Sequence, residues 1–194
     1  MKLYLKGTRC ETAKCAMERQ WRSQPPGVHA FRRRGKVSEY AVRLREKQKL
    51  RRYYGVLERQ FRRTFAEASK EVNTGEALLV LMERRLDNVV YRLGFAPSRA
   101  AARQLVSHGH LLLNGVKVTT ASIEVKPGDV LTLRDRDATR ITIKANLETA
   151  AGRTPPQWLR LDPETLEATV VAMPTREDVS IQINEQLIVE FCSR

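Results

Sequence analysis

Cysteine, histidine and aromatic residues are all scarce in this 194-residue chain, and each scarcity removes a class of function. The cysteines number three, Cys10, Cys15 and Cys192. So odd and sparse a set argues against a disulfide framework and for a reducing compartment. The histidines are His29, His108 and His110, with no H-E-x-x-H pair among them. No G-x-S-x-G elbow and no G-x-x-x-x-G-K-[ST] phosphate loop occurs either, so the common hydrolase and nucleotide-binding signatures are missing. Aromatic residues make up 6%, too few for an extended platform on which single-stranded bases stack. No uninterrupted apolar run approaches the roughly 20 residues of a membrane span. The opening M-K-L-Y-L-K-G has no apolar signal core, so a cytoplasmic location is expected.

Cationic residues are abundant. The formal net charge is +13, with charged residues at 29% and hydrophobic residues at 42%, enough for a packed core. That balance implies a polyanionic partner. The charge is uneven. Residues 1–55 hold sixteen Lys+Arg against four Asp+Glu, whereas residues 146–194 hold four against eight. The N-terminal quarter is therefore the electrostatic end.

Residues 1–36 read as a basic arm that orders on nucleic acid. Pro25-Pro26-Gly27 breaks any regular element, and Arg32, Arg33 and Arg34 form a cationic run. Ser38 is placed to cap a helix that Gly55 ends, with Tyr40, Leu44, Leu50 and Tyr54 as a thin apolar stripe. A second helix carries a better stripe, Leu57, Phe61, Phe65 and Ala68, whose helical period marks these aromatics as core. After Asn73-Thr74-Gly75, with Thr74 as the cap, one long helix is predicted from about Glu76 to Leu93.

The stretch from Ser98 to Val118 reads as a compact platform. Ser98 caps a helix whose inner side is Ala102, Leu105 and Val106, and whose outer side carries Arg99 and Arg103. Gly109 stops it. Leu111 to Leu113 form a strand, Asn114-Gly115 suits a two-residue type I′ turn, and Val116 to Val118 return. Beyond it, Val130 to Leu133 read as a strand, 141–149 as a short helix, and Trp158 to Leu161 and Thr169 to Ala172 as strands. Asn184 caps a final acidic helix, Glu185 to Phe191, expected to pack back onto the basic ones.

Three spots invite a chemical reading. His108 and His110 flank Gly109 without a nearby cysteine or carboxylate in sequence, which favours phosphate or base contact, or simple turn residues. Cys10 and Cys15 are half of a zinc-ligand pattern, and a closed structural zinc needs four ligands, so neither metal nor cofactor is expected. Arg85-Leu86-Asp87 matches a triplet that carries the catalytic aspartate in one group of pseudouridine synthases. Here it lies inside the predicted long helix and lacks the threonine-serine-glycine that follows in those enzymes. Asp87 is read instead as a helix-surface carboxylate.

The platform resembles the RNA-binding domain named after the fourth small-subunit ribosomal protein. L-R-E-K-Q-K-L-R-R-Y-Y-G at 44–55, E-R-Q-F-R at 58–62, R-L-D-N-V-V-Y-R-L-G-F at 85–95, A-R-Q-L-V-S-H-G-H at 102–110 and N-E-Q-L-I-V-E-F-C-S-R at 184–194 resemble the bacterial form of that ribosomal family itself. The P-P-G-x-H at 25–29 matches too, with alanine following where the family has glycine. Zinc-bearing members have an earlier C-x-x-C pair that is not found here.

The resemblance implies a primary rRNA-binding protein of the small subunit. Such a protein binds the 5′ domain of small-subunit rRNA early in assembly, beside the fifth protein of that subunit and near the path by which mRNA enters. A free-standing ribosome-associated RNA-binding factor is the alternative. The expected fold is α+β. It comprises a basic arm (1–36), a helical domain (37–83, completed by about 182–194) and an RNA-binding domain of helix-turn-hairpin type with a small antiparallel sheet (84–181, core about 86–145). By motif match, the residues expected to position RNA phosphates are Arg32, Arg33, Arg34, Arg43, Lys47, Arg51, Arg52, Arg59, Arg62 and Arg63, then Arg84, Arg85, Arg92, Arg99, Arg103, His108 and Lys117.

Overall fold

Seven α-helices and a five-stranded antiparallel sheet make up the computed structural model, which describes residues 2–18, 27, 36–149 and 154–193. Arg32, Arg33, Arg34 and His29 lie outside the described residues. The chain begins with a short 3-10 turn, Gly7–Glu11.

Helix α1 (Glu39–Tyr54) starts where Ser38 accepts a hydrogen bond from the Ala41 amide and ends at Gly55 in the left-handed region. Leu50 and Tyr54 are buried, but Tyr40 is 61% exposed and only lies against the Phe191 ring. In α2 (Glu58–Ala68), Phe61 and Ala68 are buried as the stripe predicts. Leu57 is not: it stands just outside the helix in extended conformation and is 72% exposed. Helix α3 (Thr74–Glu83) is capped by Asn73, whose side chain accepts from Glu76 N, and not by Thr74.

The long helix expected from Glu76 to Leu93 is two helices, α3 and α4 (Leu86–Arg92). Arg85 between them is extended (φ −61°, ψ 134°). The reason is a competing set of backbone partners. Leu86 N donates to Ile123 O, Asp87 N to Ala121 O, and Val125 N to Arg84 O. These bonds take up amides at the start of α4 that would otherwise need a continuing helix. The apolar stripe runs through the break unaltered, yet it serves two cores. Leu78, Leu79 and Met82 join a cluster with Leu50, Phe61 and Ile188, whereas Leu86, Val89 and Leu93 join one with Phe95, Val106 and Ile143.

The platform forms as read. Ser98 accepts from Ala101 N at the start of α5 (Arg99–Ser107), and Ala102 and Val106 are buried. Gly109 takes φ +67°, a conformation that costs glycine nothing. Strands β1 (Leu111–Leu113) and β2 (Val116–Val118) pair around Asn114 (φ 51°) and Gly115 (φ 79°), the double positive φ of a type I′ turn. Val118 faces the core; Val116 is 68% exposed.

The sheet adds β3 (Val130–Leu133), β4 (Leu159–Asp162) and β5 (Glu167–Val170), in spatial order β2-β1-β3-β5-β4. Helix α6 (Asp137–Thr149) starts earlier than the sequence suggested and buries Ile143. Helix α7 (Glu185–Cys192), capped by Asn184, packs on α1 and α3. Ile188 is its fully buried anchor.

Candidate nucleic-acid interface

The cations fall into two groups. Each member of the first is held by a partner within the chain. Arg43 bonds Glu39 on its own helix (3.0 Å) and Glu190 on α7 (2.8 Å). Lys47 is 5% exposed, 2.7 Å from Glu58 and 4.8 Å from the centre of the Phe191 ring. Arg51 bonds the same Glu58 and the Val56 carbonyl. The Glu58 carboxyl is held below its ordinary value, first by the Lys47 hydrogen bond and also by Arg62 and Arg51. Arg84 donates to Val125 O.

Arg85 and Asp87 are both buried, in a two-point clasp of 3.1 and 2.8 Å. This corrects the reading of Asp87 as a surface carboxylate. It also accepts from Asn88 N, so its oxygens are committed to shaping the α3–α4 break. Arg92 is clamped onto the fully buried Glu83 and also reaches the Asp178 carbonyl.

Members of the second group face outward. Arg52 lies in the last turn of α1 and is exposed. Arg59, Arg62 and Arg63 share the face of α2 opposite Phe61, with Arg62 78% exposed despite a 3.2 Å contact to Glu58. On the platform, Arg103, His108 and Lys117 are exposed. Arg103 lies 3.8 Å from Asp87. His110 is different from His108: it is half-buried, its Nδ1 is 3.0 Å from the Thr139 hydroxyl, and burial followed by the Arg136 charge lowers its pKa.

Arg99 stands between the groups. Its Nε donates to Asn88 Oδ1 (2.8 Å), and its guanidinium lies 3.8 Å from the centre of the Tyr53 ring and 4.4 Å from that of Tyr91. Spacing within the platform exposes Arg99 as a surface cation, but the tyrosines that hold it come from α1 and α4, so the sequence motif carries no sign of them. Cys10 and Cys15 gain no third donor: among the described residues, no group of three or more His, Cys, Asp or Glu side chains could hold a metal.

A positively charged helical surface joined to a helix-turn-hairpin platform has the features of an RNA-binding protein. The chain belongs to the S4 family of ribosomal proteins, since residues 1–83 match the family model for the ribosomal protein S4/S9 N-terminal domain and residues 84–131 that for the S4 domain. It is 53% identical to small ribosomal subunit protein uS4 of Thermus thermophilus, over 100% of this chain and 92% of the relative. Against the uS4 of Gloeobacter violaceus the identity is 56% with the same coverage. Against that of Citrifermentans bemidjiense it is 55%, over 99% of this chain and 91% of the relative.

Proposed function

We propose that this chain is a structural constituent of the small ribosomal subunit that binds small-subunit rRNA. Its site is the 5′ domain, which it engages early enough to nucleate assembly. The observation that carries the reading is likeness along the whole chain to proteins named as small-subunit uS4. It acts by binding and not by catalysis. The phosphate contacts fall to the outward group, Arg52, Arg59, Arg62, Arg63, Arg103, His108 and Lys117, with Arg99 at the junction. Lys47, Arg85 and Arg92 serve the fold beneath that surface. Helices rich in arginine suit a junction of RNA helices, which presents phosphates and 2′-hydroxyls more than readable base edges. Within the subunit the chain sits beside the fifth protein, near the path by which mRNA enters. Crosslinks from assembled subunits to neither that protein nor mRNA would remove this last part.

The test is competition binding at one physiological salt concentration, between the 5′ domain of small-subunit rRNA and an unrelated structured RNA of equal length. The expected preference is about a hundredfold, roughly 2.7 kcal/mol. Equal binding to both would reduce the chain to a basic RNA-binding module.

A further inference from the structure

One face of the chain runs against its overall charge. Between Thr64 and Met82 there are three glutamates, one lysine and no arginine, a net of −2 in a chain of +13. Those glutamates, Glu67, Glu71 and Glu76, rim a groove of about 480 Å³ where the end of α2 meets α3. Its floor is apolar. Ala77, Val80 and Leu81 of α3 are half-buried there, and Met173 from the loop after β5 is exposed. Val72, between the two helices, is fully exposed at its lip. Neither Val72 nor Met173 belongs to a core cluster. The rim is uncommitted. Among the described residues, the side chains of Glu67 and Glu71 make no hydrogen bond or ion pair, and Glu76 holds only Asn73, at 3.0 Å. Arg84 also lines the groove, but its guanidinium is engaged by the Val125 carbonyl (3.0 Å) and Glu124 (3.8 Å).

We propose that this groove docks a lysine- and arginine-rich segment of a neighbouring protein, with one aliphatic side chain of that segment on the apolar floor. The inference concerns a surface apart from the RNA-binding one and does not rest on the rRNA reading. An apolar centre ringed by polar groups is the anatomy of a protein interface. Charge selects the occupant. Carboxylates without counter-ions repel RNA phosphates and acidic segments alike, whereas a basic segment is drawn in. It displaces nothing, because no cation of this chain is paired with Glu67 or Glu71. Along α2 the arginines stop at Arg63 and the groove begins at Glu67. A segment seated there lies beside the arginine face of α2 and not across it.

Fluorescence anisotropy with the full chain tests this. The probe is a short labelled peptide of lysine and arginine around one leucine, at physiological salt. Affinity is expected to fall about tenfold with Glu67→Gln and Glu71→Gln together, and about as much when the leucine of the peptide is replaced by serine. Both glutamates are exposed and unpaired, so the fold does not depend on them. Glu164→Gln with Glu167→Gln removes two exposed carboxylates at the β4–β5 turn and is expected to leave affinity unchanged. No binding by the unaltered chain, equal losses in the two double variants, or a peptide that binds as well without its leucine overturns the proposal. The rival occupants have their own readouts. With benzoylphenylalanine in place of Val72, irradiation is expected to attach the peptide and to leave 5′-domain rRNA unlabelled. A crosslink to the RNA overturns the proposal in favour of nucleic acid. Sedimentation of the free chain is expected to show a monomer. A dimer that the Glu67→Gln, Glu71→Gln variant dissolves gives the groove to a second copy and overturns the proposal as well.

Discussion

Removing the Glu83 carboxylate should cost more stability than removing any exposed charge. Glu83 is fully buried at the end of α3 and accepts from four donors on three side chains. These are Tyr54 Oη at 2.6 Å, Asn88 Nδ2 at 2.7 Å, and Arg92 Nε and Nη2 at 3.0 and 2.7 Å. Burial pulls the Arg92 pKa down, but the Glu83 hydrogen bonds and charge more than offset it, so Arg92 stays charged in the fold. Glu83→Ala leaves that cation, 14% exposed, without its counter-ion. The expected loss is about 3–5 kcal/mol, a large part of the roughly 5–15 kcal/mol that holds a typical domain together. Replacing both charges, Glu83→Leu with Arg92→Leu, removes the uncompensated charge and takes partners from the Tyr54 hydroxyl and the Asp178 carbonyl, while Asn88 Nδ2 still bonds Glu83 O. The double variant should therefore lose only about 1–3 kcal/mol. Urea unfolding followed by two probes gives both numbers, provided the probes coincide and the m-values agree. A loss below about 1 kcal/mol for Glu83→Ala, or a double variant no better than the single, refutes the reasoning.

Three further outcomes are expected. Burial first, then the Glu83 charge, raises the Tyr54 phenol well above its ordinary value of 10. The unfolded chain then releases this proton at lower pH than the folded one, so the contribution is fully present below about pH 10. It is lost as pH rises toward the folded value. Tyr54→Phe should flatten the fall of the urea midpoint above pH 10, and parallel curves would count against the argument. Alanine at Arg59, Arg62 or Arg63 should each reduce the slope of log K against log salt by up to about 0.9, whereas Lys47→Ala should destabilise the fold and leave the slope alone. Identical slope changes in both sets contradict the division of the cations. Ile188→Ala should cost about 2–5 kcal/mol, as expected for emptying a fully buried site, and a melting temperature unchanged from the parent would detach α7 from the core.

Much of the architecture is legible because its signals are local. Ser38, Ser98 and Asn184 cap the helices they precede, and Gly55 and Gly109 end theirs. Asn114-Gly115 fixes the hairpin directly between the two strands it joins. What the sequence hides is set by groups far along the chain. The break at Arg85 has no glycine or proline to mark it; the amides of Leu86 and Asp87 find carbonyls in the 121–123 loop instead. Leu57 keeps the helical period of Phe61 yet falls outside the helix. The site divides in the same way. Arg59, Arg62 and Arg63 show their shared outer face in their spacing. The burial of Lys47 depends on Glu58 and Phe191, and the seat of Arg99 depends on Tyr53 and Tyr91, none of which the local pattern names.

Net charge is for this reason a poor count of RNA contacts. Helix α1 alone carries Arg43, Arg45, Lys47, Lys49, Arg51 and Arg52, and so dense a set repels itself unless carboxylates are brought near. Glu39 and Glu46 of the helix itself supply part of that counter-charge, and the rest comes from elsewhere in the chain. Glu58 takes Lys47 and Arg51, Glu190 on α7 takes Arg43, and Glu46 both pairs with Lys49 and accepts the Asn184 amide. Glu190 is the contribution of the acidic C-terminal quarter, and Glu39, Glu46 and Glu58 supply the rest of the counter-charge around this basic helix. Cations already paired release no condensed counterions when RNA arrives. The salt dependence of binding should then follow the outward group and not the formal +13 of the chain. Losing α7 should raise the electrostatic draw toward RNA by leaving Arg43 with Glu39 as its one carboxylate, even as it weakens the fold that gives the draw its shape.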